Sequence, residues 1–424
     1  MIEIPIERLK LPNGLRVVLS RDPRAPVVAV NLWYGVGSRN ERAGRTGFAH
    51  LFEHMMFQGS ANVPEMAHFA LIEKAGGSLN GSTWLDRTNY YETVPAHYLE
   101  LAFWLESDRL GWLLPAMTQE KLDNQRDVVK NERRWRVDNQ PYGDWDERIQ
   151  ALMYPPEHPY HHSVIGSMED LDSASLQDVE QFFRTYYAPN NAVLSVCGDY
   201  DAAQVGALVE RYFGDIPPGP PVPPIPGNTE LPQLLGQERR EVVEQEISLA
   251  RLYLAYRTPP LGTPGYYDAL VAAAVLATGK ASALYRTLLR QLGIAQDVVA
   301  YQFPIVVGAS MLVLWATLRP ERSLDELELH LTEEVERLAI VCDEDVQRAV
   351  RLLEARQLID LQSVDERADQ LSMYTTLFDD PGRINTELSR IRAVTTASVR
   401  SFAERYLVRQ NRTVLRYVPR PKDV

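Results

Sequence analysis

Apolar residues change their spacing along this chain, and the changes mark its elements. Residues 6–20 carry apolar positions on both sides of Asn13-Gly14, which predicts two short strands joined by a tight turn. Val27 to Tyr34 is a nearly unbroken β-branched and aromatic run, predicting a central strand. Gly35 to Gly44 is polar and predicts a loop, after which a helix containing His50 starts at Arg45 or Thr46. A short helix over residues 64–75 ends at Gly76-Gly77. Residues 78–94 then predict a hairpin or two consecutive strands, small and polar enough for an exposed edge to which an extended peptide could add. Helices follow over 97–113 and from Thr118, its N-cap, to about Val137. The second has only a rough stripe of Leu122, Val128, Val129 and Trp135. Residues 153–162 predict a loop. A helix from Ser173 or Ser175 runs through Tyr187, and a strand covers Ala192 to Val196.

Asp215 to Gly227 is too rich in proline for a helix or a sheet interior and predicts an extended, semi-rigid connector. The halves on either side repeat each other. Val179, Phe182, Tyr186 and Asn191 match Val399, Phe402, Tyr406 and Asn411 at one offset, 399 − 179 = 220. The strand Val30–Tyr34 meets Ala250–Leu254 at the same offset. So long a period predicts a duplicated domain. The expected division is a first domain over 1–215, a linker over 216–238 and a homologous domain over 239–424. Where the first half has its His50 helix, the second has the purely apolar stretch Asp268 to Leu276.

With 424 residues there is length for two domains and a sizeable core. The net charge of −13 argues against nucleic acid as a partner. No apolar run is long enough to span a membrane. Met1-Ile-Glu-Ile-Pro has no basic segment followed by an apolar core, so no signal peptide is expected, and cytoplasm and periplasm both stay open. Cys197 and Cys342 make neither a disulfide framework nor a metal pair and are expected at or near the core.

The chemistry centres on His50-x-x-Glu53-His54. On a helix, two histidines four apart share a face, with Cβ atoms about 5–6 Å apart. Two such imidazoles can bind one zinc ion. Glu53 lies on nearly the same side, where it can take a proton from a zinc-bound water. The order is the reverse of His-Glu-x-x-His and is the inverzincin signature. A surface helix with two unrelated histidines is the competing reading, and a third ligand decides between them. His158, His161 and His162 sit in a proline-containing loop without regular spacing, a weaker candidate. Glu132, taken alone, is an ordinary solvated helix carboxylate.

Together these features resemble the pitrilysin/insulinase family of zinc metallopeptidases, in its short-chain, processing-peptidase-like branch. The resemblance spans nearly the whole chain. It rests on the His50 motif, Gly77-x-x-Asn80-x-x-Thr83, Arg126-Asp-Val-Val-x-Asn-Glu132, Tyr187-x-Pro-Asn-Asn191 and the duplication. The resemblance implies an α+β fold: two homologous domains, each an antiparallel-rich sheet covered by helices on one face. It implies one Zn2+ per chain held by His50, His54 and Glu132, the last at the family spacing of 132 − 54 = 78. Glu53 would be the general base, and Asn80, Gly81, Ser82 and Thr83 the edge that holds substrate peptides or unfolded segments. Two positions depart from the family. Gln125 stands where many relatives carry a second glutamate near the metal. Arg290 matches a substrate-gripping arginine, but Gln296 stands at its tyrosine partner's position. The expected partner is therefore a homologous subunit lacking the zinc motif, in a heterodimer. The alternative is a homodimer gripping with Arg290 alone, or with Tyr285 or Tyr301. A non-catalytic core-type subunit is the rival outside the enzymes.

Overall fold

Val27–Tyr34 (β3) lies at the heart of the first sheet, and its neighbours explain why it is apolar throughout. In the computed structural model, which describes residues 3–420, the other strands of this sheet are Glu7–Lys10 (β1), Arg16–Arg21 (β2), Ser78–Thr83 (β4), Thr88–Pro95 (β5) and Ala192–Gly198 (β6). Their order is β1-β2-β6-β3-β5-β4. Only β2 and β6 run parallel. On one face Val28, Val30, Leu32 and Tyr34 pack with Leu51, Phe52 and Met55 of the His50 helix. On the other, Ala29 and Trp33 join Val18, Val193 and Cys197 beneath Ala368, Leu371 and Tyr374 of the helix Val364–Phe378. A strand covered on both faces needs apolar residues at every position rather than at alternate ones. Helices on one face only, as the family resemblance implied, would have left Trp33 bare.

The second sheet contains Arg239–Gln245 (β7), Arg251–Thr258 (β8), Ala295–Gln302 (β9), Ser310–Leu318 (β10) and Arg412–Pro419 (β11), in the order β7-β11-β8-β10-β9. Strand for strand this repeats β2-β6-β3-β5-β4, including the single parallel pair. The fold is thus α+β with a duplicated, mostly antiparallel sheet. Pairing refines the offset. Leu194 pairs with Leu32, and Val414, 220 residues after Leu194, pairs with Leu254. The counterpart of Leu32 therefore lies 254 − 32 = 222 residues on. The two extra residues make one full pleat, which keeps every side chain on its face.

By contacts the chain forms two units, each of which takes a segment from the other half of the sequence. The first contains the chain up to Arg133, His162–Pro226 and Ile359–Thr386; the second contains Arg134–His161, Gly227–Leu358 and the chain from Glu387. A cut at 216–238 assigns the two inner segments the other way. The reason for the difference is the uncovered face of each sheet. Val364–Phe378 covers Trp33 in the first, while Trp145 of the helix Trp145–Met153 stacks on Tyr253 in the second, 5.3 Å between centroids. The proline-rich stretch has no helix or strand over residues 217–226. Asn190 pins it, accepting from the Gly219 N–H at 2.8 Å. Cys197 is buried as expected, but Cys342 is exposed. It immediately precedes the helix Asp343–Asp360, with Sγ 3.5 Å from Asp345 Oδ2, so a helix start and not the core decides its place. No helix among the described residues is long and apolar enough to cross a membrane.

Candidate metal centre

The His50 helix spans Phe48–Met55 and is held from its first turn. Gly47 precedes it at φ 82°, and a Cβ there would lie 2.4 Å from the Ile165 carbonyl oxygen, so only glycine fits. Glu41, six residues earlier, supplies the cap. Its carboxylate accepts from the N–H of Gly47 at 2.9 Å and of Ala49 at 2.7 Å, which satisfies donors that a helix start leaves open. Burial pushes the Glu41 carboxyl well up, against these two backbone N–H groups that hold it down. Phe48, Leu51, Phe52 and Met55 face the core, and Phe52 lies 4.3 Å from the Tyr187 ring. That burial turns His50, Glu53 and His54 outward together, all three half-buried.

Glu132 comes from the helix Gln119–Arg133, which buries Leu122, Gln125 and Val129. Glu132 is the next position of that 3-4 stripe, so packing aims it at the His50 helix. Its Oε2 stands 3.3 Å from His54 Nε2 and 3.7 Å from His50 Nε2. One donor atom from each of the three lies within 4.8 Å of the others, and no other such group of histidine, cysteine or carboxylate occurs among the described residues. Two ligands bound tetrahedrally at zinc distances sit about 3.4 Å apart, so two imidazole nitrogens and one carboxylate oxygen at these separations fit a zinc ion. The 153–162 histidines are not part of it. His158 is buried against Tyr154 and Tyr160, His161 Nδ1 lies 2.8 Å from the Tyr154 carbonyl oxygen, and His162 Nδ1 lies 3.5 Å from Glu41.

Glu53 accepts a hydrogen bond from the Thr83 hydroxyl at 2.6 Å. Burial raises its pKa, while the Thr83 hydroxyl and the His54 charge oppose the rise. Thr83 ends β4, which lies at one edge of its sheet and pairs only with β5. Of the four expected edge residues, Gly81 and Thr83 face the His50 helix. A Cβ on Gly81 would meet Phe57 at 3.1 Å, Tyr90 at 3.2 Å and Glu53 Cγ at 3.3 Å. Ser82 turns the other way and donates to Asn89 at 2.7 Å, and Asn80 is exposed. Gln125 is buried two turns before Glu132 on the same stripe. Arg290 is exposed in the second unit, its guanidinium 5.6 Å from the Tyr285 ring, on the π-helical stretch Tyr285–Gln291. Gln296 and Tyr301 lie on β9, an edge strand, and both are exposed.

Sequence reasoning missed three supports. Glu41 carries no motif, and Thr83, part of the Gly77-x-x-Asn80-x-x-Thr83 motif, was expected at the substrate edge and not on Glu53. The third is a buried charged group beneath Gly81: Arg109, Glu106 and Glu92 are each 3% exposed or less, and the Arg109 guanidinium lies 4.2 Å from the Tyr90 ring and 5.1 Å from the Phe57 ring. Glu106 and Arg109 lie three apart within the helix expected over 97–113 and belong to no motif in the sequence.

Two descriptions match the chain in tandem. That of the Insulinase (Peptidase family M16) domain covers residues 16–154, and that of the Peptidase M16 inactive domain covers 173–353. The chain belongs to peptidase family M16. It is similar to the zinc protease PqqE of Helicobacter pylori, 35% identical over 208 residues. That match takes in 49% of this chain and 46% of the relative, so it spans about half of each. An uncharacterised zinc protease of Mycobacterium bovis is 27% identical over 407 residues, covering 95% of this chain and 91% of the relative. The crystal structure of a protease from Helicobacter pylori superposes with a TM-score of 0.92 at 25% identity, over 98% of this chain and all of that one.

Proposed function

We propose that this chain is a zinc-dependent endopeptidase that hydrolyses peptides or unfolded segments. One observation carries the reading: Glu132 Oε2 lies 3.3 Å from His54 Nε2 and 3.7 Å from His50 Nε2, with Glu53 on the same helix face. His50, His54 and Glu132 would hold the ion. When bound, zinc supplies Lewis acidity, acidifying water and polarising a carbonyl. Glu53 takes the proton of the attacking water and afterwards gives it to the leaving amine, which is general base and then general acid work by one carboxyl. The free edge of β4, which ends at the residue bonded to Glu53, offers main-chain donors and acceptors to an extended peptide. Asn80, Gly81, Ser82 and Thr83 would pair with that peptide through their backbones.

The second half supports a partner. Gln296 stands exposed on β9 where a gripping tyrosine is expected, and Arg290 already neighbours Tyr285. We read this chain as the zinc-bearing subunit of a heterodimer whose other subunit supplies the arginine and tyrosine; a homodimer using Arg290 with Tyr285 or Tyr301 is the alternative. Metal analysis tests the site. His50→Ala and Glu132→Ala should lose zinc, whereas Glu53→Gln should keep it. A Glu132→Ala protein holding one full equivalent of zinc would refute the ligand set.

A further inference from the structure

Thr83 does more than end an edge strand. Its hydroxyl reaches Glu53 Oε2 at 2.6 Å, within the range of a hydrogen bond to a charged acceptor. The Thr83 hydroxyl is the donor in this bond, and its single proton is spent on Glu53. The position of that hydroxyl is fixed from several sides. Thr88, directly opposite, donates to the Val36 carbonyl at 2.9 Å and stands 3.3 Å from Thr83 Oγ1. The chain just beyond is clamped by Ser38 N–H on the Trp84 carbonyl at 3.2 Å and Arg39 N–H on the Leu85 carbonyl at 3.0 Å. Arg87 bonds the Ser82 carbonyl at 2.7 Å. Gly81 brings the strand so near that Glu53 Cγ has little room on that side.

We infer that Thr83 is a positioning residue for Glu53: its hydroxyl holds one carboxylate oxygen and leaves Oε1 for the proton of the attacking water. This rests on the peptidase reading above. It also reassigns Thr83, whose side chain faces the base and not the substrate. Losing such a partner costs about 10- to 100-fold in activity where comparable outer partners have been removed.

The test compares Thr83→Val, which keeps the shape and loses the hydroxyl, with Thr83→Ser, which keeps the hydroxyl. Both are assayed as zinc-loaded full chains on an internally quenched random-peptide library, beside wild type and Glu53→Gln. Thr83→Val should keep its zinc and its KM while kcat falls about 10- to 100-fold, and Thr83→Ser should restore most of kcat. A rise in KM with kcat intact, or a serine variant no better than the valine one, overturns the inference. Crystal structures of wild type and Thr83→Val give a readout independent of cleavage. The Glu53 carboxylate should occupy one orientation in wild type and a changed or divided one in the variant. The same single orientation in both overturns the inference, even if wild type and Glu53→Gln cleave alike and the peptidase reading itself fails.

Discussion

Arg109 is the residue whose loss the first unit should feel most. It is 1% exposed, beside Glu106 at 1% and Glu92 at 3%. Its Nε donates to Glu106 Oε2 at 3.0 Å, and a second guanidinium nitrogen bonds the other oxygen of the same carboxylate. Burial first, then the Glu106 charge, push the Glu92 carboxyl well up, and the Arg109 charge opposes them. Arg109→Met fills similar space but leaves Glu106 buried without its cation. Breaking a buried pair from one side costs about 3–5 kcal/mol. At about 2–4 °C per kcal/mol for a unit of this size, the melting temperature should fall by about 6–20 °C. The pH dependence has a definite sign. A carboxyl with a raised folded pKa contributes fully below its unfolded value of about 4.3, and that contribution is lost as pH rises toward the folded pKa. Removing Arg109 takes away the cation that holds the Glu92 carboxyl down, so that carboxyl rises further and the loss should be larger at pH 8 than at pH 5. Arg109→Met/Glu106→Gln, which discards the stranded charge, should recover a substantial part. Calorimetry of the zinc-loaded chain at both pH values reads all of this. A melting temperature within about 2 °C of wild type, or a loss equal at pH 5 and pH 8, would refute the reasoning.

Two other outcomes follow from single contacts. Gly81→Ala puts a methyl group 3.3 Å or closer to Phe57, Tyr90 and Glu53 Cγ. We expect zinc to be retained and kcat on the quenched peptide library to drop about 10- to 100-fold as Glu53 shifts; an unchanged kcat would mean the neighbours simply yield. Asp22 is held well below the usual carboxylate range by Arg24 and, across the buried sheet face, by Arg367. Its contribution is present above the unfolded pKa of about 3.9 and is lost as pH falls toward the lower folded value. The melting-temperature gap between wild type and Asp22→Asn should therefore be full at pH 7 and shrink below about pH 4, and a gap that stays constant would contradict the pairing.

What the sequence disclosed depended on how far the deciding interaction reaches. The turn at Gly14, the β3 run and the His50 helix are set by neighbours within a few residues, and they stand where the apolar pattern places them. Glu132 was different. Its own helix has charges on most faces, and only the family spacing singled it out; in the fold, the buried stripe through Leu122, Gln125 and Val129 does so physically. The cover on β3 comes from Val364–Phe378, more than 300 residues away, and no local pattern announces it. The stretch Glu106-Ser-Asp-Arg109 misleads for the opposite reason. Four polar residues in a row carry no apolar pattern, yet all four are buried because each charge is answered inside. Arg109 serves Glu106, and Asp108 accepts from Ser60 and from the Asn62 amide. The Thr83–Glu53 bond joins a strand to a helix 30 residues apart, and threonine in a strand has an ordinary explanation in β-propensity.

The central claim is that Glu53 performs proton transfer at a zinc site made by His50, His54 and Glu132. The most direct measurement is cleavage of the quenched peptide library by the zinc-loaded chain and by its Glu53→Gln variant, each with metal content determined on the same sample. A co-expressed homologous subunit is added in a parallel arm, since the chain is proposed to work with a partner. We expect one zinc per chain in both proteins, and cleavage by wild type, alone or with the partner, that is almost entirely lost in the variant. Equal cleavage by both proteins, or full zinc without cleavage in either arm, would contradict the account.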